Sequence, residues 1–89
     1  MLFMVIERFK PDAISAVYRR FREKGRMLPE GLTYLDSWVD TGAAGCFQLM
    51  ECEDARLVDR WIQEWQDLAD FEVVPVVTSK AAAESFVSP

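Results

Sequence analysis

Leu32-Thr33-Tyr34-Leu35-Asp36-Ser37-Trp38-Val39-Asp40, Thr41-Gly42-Ala43-Ala44-Gly45 and Cys46-Phe47-Gln48-Leu49-Met50-Glu51-Cys52 follow one another in the middle of the chain. Two runs rich in β-branched and aromatic residues flank a glycine-containing connection, which is the signature of a β-hairpin. Successive strand residues point to opposite faces. Strict alternation puts Leu35, Val39, Phe47 and Leu49 on one face, apolar enough to lie under helices. It puts Tyr34, Asp36, Trp38, Cys46, Gln48 and Met50 on the other, which is neither plainly core nor plainly solvent.

Working outward, Leu2 to Phe9 reads as a strand that is apolar on both faces until its charged end, and such strands lie inside sheets. Lys10-Pro11-Asp12 breaks it, and Asp12 is expected to cap a helix carrying Ile14, Val17, Tyr18 and Phe21. Arg19, Arg20, Arg22, Lys24 and Arg26 crowd the far end of this helix, where cations suit the macrodipole, and Gly25 is a natural stop. On the other side of the hairpin, Glu53-Asp54 is expected to cap a helix running through Ala69. Leu57, Val58, Trp61, Ile62, Trp65 and Leu68 form its apolar stripe. Phe71 to Ser79 is a last strand, and Pro75 confines it to a sheet edge because proline cannot donate to a ladder. Lys80 to Pro89 is a small-residue tail with at most one short helical turn.

The order is βαββαβ. Right-handed crossovers and hairpin adjacency favour a ferredoxin-like split βαβ in the α+β class, its four antiparallel strands in the order 4-1-3-2. Two helices then cover one face. Residues 1–79 make a single domain and 80–89 a tail. The uncovered face is expected to present Tyr34, Trp38, Cys46 and Met50 with Val74 and Val76, a patch suited to association or ligand binding. A homodimer formed through the sheets is the simplest way to cover it.

Composition narrows the function classes. An apolar fraction of 51% in 89 residues supports a folded core. A net charge of −5 argues against nucleic acid as a partner, since phosphate binding needs a basic footprint. The basic residues do gather at one end: residues 1–30 hold seven Lys/Arg and four Asp/Glu, against three and eleven in residues 31–89. The cysteines at 46 and 52 lie about 20 Å apart along one strand at ~3.3 Å per residue, beyond disulfide reach. Reduced thiols suit the cytoplasm, and the short apolar start is too brief for a membrane span.

The phrases Met4-Val5-Ile6-Glu7, Arg22-Glu23-Lys24-Gly25-Arg26-Met27-Leu28-Pro29-Glu30-Gly31-Leu32 and Cys46-Phe47-Gln48-Leu49-Met50-Glu51 resemble a family of small bacterial proteins. So do Trp61-Ile62-Gln63-Glu64-Trp65 and Asp70-Phe71-Glu72-Val73-Val74-Pro75-Val76. The family is domain-of-unknown-function family 3303. The resemblance implies a ferredoxin-like chain of the dimeric α/β-barrel type and carries no catalytic residue with it.

The chain has no histidine, which removes the commonest base near neutral pH and the commonest zinc ligand. Gly42-Ala43-Ala44-Gly45 joins two strands and is not a phosphate loop. No cofactor or metal is expected. Asp36 and Gln48, beside Tyr34, Trp38, Cys46 and Met50, are the candidate ligand-binding group. The competing reading has Asp36 and Gln48 hydrogen-bonded across a dimer interface or facing water. Cys46 lacks a neighbouring base and reads as a small buried hydrophobe. The expectation is a homodimeric module that binds a small, partly apolar molecule or a partner. The alternative is a cofactor-independent monooxygenase or isomerase with Asp36 as its acid–base group.

Overall fold

The computed structural model describes residues 1–87. Its strands are β1 (Leu2–Phe9), β2 (Thr33–Val39), β3 (Gly45–Glu51) and β4 (Ala69–Val76). Its helices are α1 (Ile14–Lys24), α2 (Arg56–Gln63) and α3 (Ser79–Val87). The strands form one antiparallel sheet in the order β2-β3-β1-β4, which is 4-1-3-2 read from the opposite edge. β4 is an edge strand, the place its Pro75 requires.

Local chemistry sets most of the boundaries. Gly25 stops α1 at φ +67°, a left-handed conformation that glycine adopts without a Cβ penalty, and its N–H bonds the Phe21 carbonyl at 2.7 Å. Ala55, not Glu53 or Asp54, takes the N-cap position of α2 and makes no side-chain cap bond, though Asp54 just before it accepts the Arg56 backbone N–H at 3.0 Å. Asp12 does not cap α1. It sits at φ +61°, and Ala13 takes the capping position without a side-chain bond. α2 ends at Gln63, well short of Ala69, because a series of turns carries the chain straight into β4. The tail, expected to hold one helical turn at most, forms the nine-residue α3, which buries none of its residues. Ser88 and Pro89, the last two residues of that tail, lie outside the described residues.

The alternation of faces is where the structure departs from the sequence reading. Phe3 faces Met50, Val5 faces Gln48 and Glu7 faces Cys46 across β1 and β3, and all six are buried. This is the face under α1 and α2. Phe47 and Leu49, expected beneath the helices, pair with Ile6 and Met4 on the open face instead. A β-bulge at Leu35 splits the hairpin's second set. Tyr34 stays opposite Met50, but Asp36 pairs with Leu49 and Trp38 with Phe47, so Asp36 and Trp38 move to the open face. Ser37 and Val39 take their places beside Gln48 and Cys46. β1 is likewise buried on one face and only half-buried on the other.

The core joins Phe3, Val5 and Met50 of the sheet to Val17 of α1 and to Val58, Trp61 and the nearby Trp65. Trp61 meets Phe71 edge to face, with ring centroids 5.8 Å apart. Both tryptophans are buried as expected, but on the side of the sheet opposite Leu35 and Phe47. Truncating Trp61, which is only 1% exposed, removes the largest fully buried side chain. Trp61→Ala is expected to cost about 3–5 kcal/mol, measured as a lower urea midpoint with an unchanged slope.

Candidate functional site

The candidate site lies between the sheet and α1. A cavity of about 190 Å³ opens there, floored by Glu7, Cys46 and Gln48 and backed by Val17, Trp61 and Trp65. Tyr18, Phe21 and Val39, all substantially exposed, stand on the same lining and form its rim. An engineered apolar cavity of ~150 Å³ accommodates benzene, so this space suits a single-ring molecule. Its walls are mostly apolar, with a few polar groups converging at one end, the usual composition of a small-molecule site.

Those polar groups form a relay. The Arg26 Nε donates to Gln48 Oε1 at 3.2 Å, and Gln48 Nε2 donates to Glu7 Oε1. The order is dictated by chemistry: arginine has only donors, so the amide must turn its oxygen to Arg26 and its NH2 to the carboxylate. A second branch runs from Arg26 Nη2 to Ser37 Oγ at 3.4 Å, and Ser37 shares a 2.6 Å hydrogen bond with the Tyr34 hydroxyl. The guanidinium also lies 3.6 Å from the Tyr34 ring centroid and 5.1 Å from that of Phe21. Two aromatic faces thus hold the cation in a partly dry place.

The backbone of Arg26 is tied as firmly as its side chain. Its carbonyl accepts the indole N–H of Trp61 at 2.8 Å and of Trp65 at 3.1 Å. Met27 follows at φ +60°, a strained conformation for a residue with a long side chain. Left-handed residues of this kind concentrate where the surrounding structure over-determines the chain. At the end of β3, a Cβ on Gly45 would lie 2.2 Å from the Glu7 carbonyl oxygen, so only glycine lets the two strands meet there. Arg20 closes the outer side of α1. It bonds Asp67 through both Nη atoms at 2.7–2.8 Å and the Glu64 carbonyl at 2.8 Å. This guanidinium draws the Asp67 carboxyl down to about 2.

Electrostatics single out Glu7. Burial pushes its carboxyl above the ordinary range, against the opposing pull of the Gln48 hydrogen bond and the Arg26 charge. The Cys46 thiol is raised to about 11, by burial first and then by the neighbouring Glu7 carboxylate, against the pull of Arg26. It is therefore a thiol and not a nucleophile at neutral pH. Cys46 and Cys52 are both free and buried.

Of the six residues singled out in the sequence, Tyr34, Cys46, Gln48 and Met50 lie on the helix-covered face. Only Cys46 and Gln48 line the cavity, while Tyr34 backs Arg26 from behind. Asp36 and Trp38 are on the other side of the sheet. Asp36 is exposed, and its carboxylate accepts the Ser37 backbone N–H at 2.8 Å, which removes it from any pocket chemistry. Glu7 and Arg26 were missed. A signal for Glu7 was present: it has the same parity as Phe3 and Val5, so a carboxylate continues the buried face of an interior strand. By sequence Arg26 belongs with the basic, solvated end of α1, and nothing local marks it as turning inward. Among the described residues no group of three His, Cys, Asp or Glu is arranged to hold a metal ion, and no helix is long and apolar enough to cross a membrane.

Residues 1–88 match the sequence model of the family described as Domain of unknown function (DUF3303), and the chain belongs to that family. None of the curated proteins compared with the chain matches it. Among solved structures, that of an antibiotic biosynthesis monooxygenase is similar. It has 24% identity and a TM-score of 0.49, over 88% of this chain and 100% of that one. The chemistry of the site is therefore read from this chain's own side chains.

Because the folded chain raises the Glu7 carboxyl above its ordinary value of 4.5, there is a range of pH in which it holds a proton that the unfolded chain has released. Stability from this group is complete below pH 4.5 and falls as pH rises through the folded value. Glu7→Gln keeps an acceptor for Gln48 but cannot ionise. It is expected to flatten that decline in urea denaturation series run from pH 4 upward.

Proposed function

We propose that the chain binds a small, largely apolar molecule of single-ring size carrying one oxygen function, in the cavity between α1 and the sheet. The observation that carries this reading is the pairing of an apolar, ring-sized space with a charged relay at its floor. Arg26 offers donors to a carbonyl, phenolate or carboxylate oxygen, and Val17, Trp61 and Trp65 supply dry contact for the ring. The two free thiols suit a reducing, cytoplasmic setting.

Phenol is a suitable first probe. Its titration is expected to shift the indole N–H resonances of Trp61 and Trp65 saturably and to leave that of Trp38, across the sheet, unmoved. Val39→Trp puts a bulky ring at the rim, where the native side chain is 46% exposed, and is expected to abolish the shifts without unfolding the chain. Equal shifts at all three indoles would mean non-specific binding and would refute the site.

The open face carries a second proposal, that two copies of this chain pair through their sheets. Met4, Ile6, Phe47 and Leu49 line its centre, with Trp38 at 52% exposure toward one edge and Val74 and Val76 toward the other. Four strands of about seven residues make a face of roughly 19 by 23 Å, or about 440 Å² measured flat. A stable pair buries about 800 Å² per partner. Side-chain relief and the unpacked α3, which ends on exposed Phe86 and Val87, supply the additional apolar area. The radius of gyration of 14.6 Å, against about 12 Å for a compact chain of this length, fits a helix that stands off its own domain. Trp38→Asp is expected to dissociate the pair by leaving a charge unpaired in the interface. Sedimentation equilibrium at micromolar concentration reads the change, and a monomer for the unmodified protein would overturn the proposal.

A further inference from the structure

We propose that the cavity catalyses proton transfer at a carbon next to a carbonyl, with Glu7 as the base and Arg26 as the donor that holds the developing oxyanion. The inference rests on the binding reading above and adds a reaction to it. Its substrate class is the small, mostly apolar, enolisable ketone.

Both groups keep one arm free. Gln48 occupies Oε1 of Glu7, while Oε2 takes no hydrogen bond from the described residues. Among the described residues no buried side-chain nitrogen or oxygen lacks a partner, so Oε2 is not fully enclosed by the protein, and Glu7 is one of the residues that line the cavity. Arg26 stands the same way: Nε and Nη2 are engaged, Nη1 has no hydrogen bond to the described residues, and Arg26 also lines the cavity. The Glu7 residue itself is only 5% exposed, so its carboxylate works in a water-poor space.

The spacing suits the reaction. The Gln48 amide stands between the Glu7 carboxylate and the Arg26 guanidinium and is hydrogen-bonded to both, so the two charged groups are held apart by one amide. A reacting carbon about 3–3.5 Å from a base, joined to a carbonyl oxygen about 2.9 Å from a donor, calls for a base and a donor that are near one another but not in direct contact. Burial strengthens Glu7 as a base by bringing its proton affinity toward neutral pH. Gln48 is a positioning residue: it fixes the carboxylate and the guanidinium relative to one another and touches both.

The step balances without an oxidant or cofactor. In a β,γ-unsaturated ketone, Glu7 removes the proton from the carbon between carbonyl and alkene. The C–H electron pair forms a new C=C bond, and the carbonyl π pair moves to oxygen, where Arg26 donates to it. Glu7-H then returns the proton to the γ carbon, the dienolate collapses to the conjugated ketone, and the carboxylate is regenerated.

The test uses the full chain with cyclohex-3-en-1-one in D2O. Ultraviolet absorbance follows the conjugated product, and NMR follows both deuterium at the γ carbon and the Trp61 and Trp65 indole shifts. The expected result is saturable turnover that Glu7→Gln lowers at least a hundredfold, the typical contribution of a general base, while the indole shifts persist. Glu7→Asp, with a carboxylate one methylene further back, restores part of the rate, which a purely structural role for Glu7 would not produce. Saturable binding with no turnover above buffer, or equal turnover in Glu7→Gln, overturns the proton-transfer inference and leaves the binding site standing. Absence of saturable indole shifts with both this ketone and phenol overturns the binding reading and this inference together.

Discussion

The bond from two indoles to one carbonyl organises this molecule. Trp61 and Trp65 are deeply buried, and an indole N–H left without an acceptor there costs about 1–3 kcal/mol each. Both are satisfied by the Arg26 carbonyl, on the segment that leaves α1 and heads for β2. To deliver that carbonyl the chain must turn sharply, and it does so through Gly25 at φ +67° and Met27 at φ +60°. The left-handed region costs a side-chain-bearing residue about 1–2 kcal/mol, less than two orphaned donors. Once the carbonyl points at the tryptophans, the Arg26 side chain leaves on the other side and passes between Tyr34 and Phe21 to the sheet. One backbone constraint thus fixes the core and aims the cation of the site.

That cation is not paired directly with Glu7. A buried ion pair in contact gains Coulomb energy but loses solvation that it seldom recovers in full. An amide between the two charges spreads the desolvation over three hydrogen-bonding groups and leaves one arm of each charged partner unfilled. Well-packed apolar residues in place of a buried charged network are often as stable as the network or more so. The relay is therefore hard to justify by packing alone and easy to justify by what it can hold.

The topology was legible because it rests on features a sequence states openly: hairpin spacing, a proline-bearing edge strand and a stripe of Leu57, Val58, Trp61 and Trp65 at helical period. The site was not. In β3, which has no bulge, alternation separates Phe47 and Leu49 from Cys46, Gln48 and Met50 but does not say which set lies under the helices, and it is the second. In β2 the cause is local. Leu35 is an extra residue in β2, and a bulge inverts the parity of everything after it. Tyr34-Asp36-Trp38 reads as one face by alternation, while the folded chain sends the first residue to one side and the other two to the opposite side. Nothing in the hairpin announces that insertion. Arg26 was hidden by a different cause. Its inward turn depends on tryptophans 35 and 39 positions away in the sequence, so no local window contains the reason. Glu7 was readable by parity alone and was overlooked as the charged end of an apolar run.

The same alternation ties the two faces of the sheet together. Ile6 and Glu7 are neighbours in β1, as are Phe47 and Gln48 in β3, and in each pair one residue faces the open side and the other the relay. The strands that carry Glu7 and Gln48 are the two interior strands, and Gly45 lets them approach at the Glu7 carbonyl. An interior strand flanked by hydrogen-bonded neighbours on both sides has little freedom to twist, whereas β2, at an edge and already kinked at Leu35, has more. Glu7 and Gln48 sit on that interior pair, Arg26 on the connection between α1 and β2, and the rim residue Val39 on the edge strand β2. Two of the three members of the relay thus sit where the sheet is hydrogen-bonded on both sides.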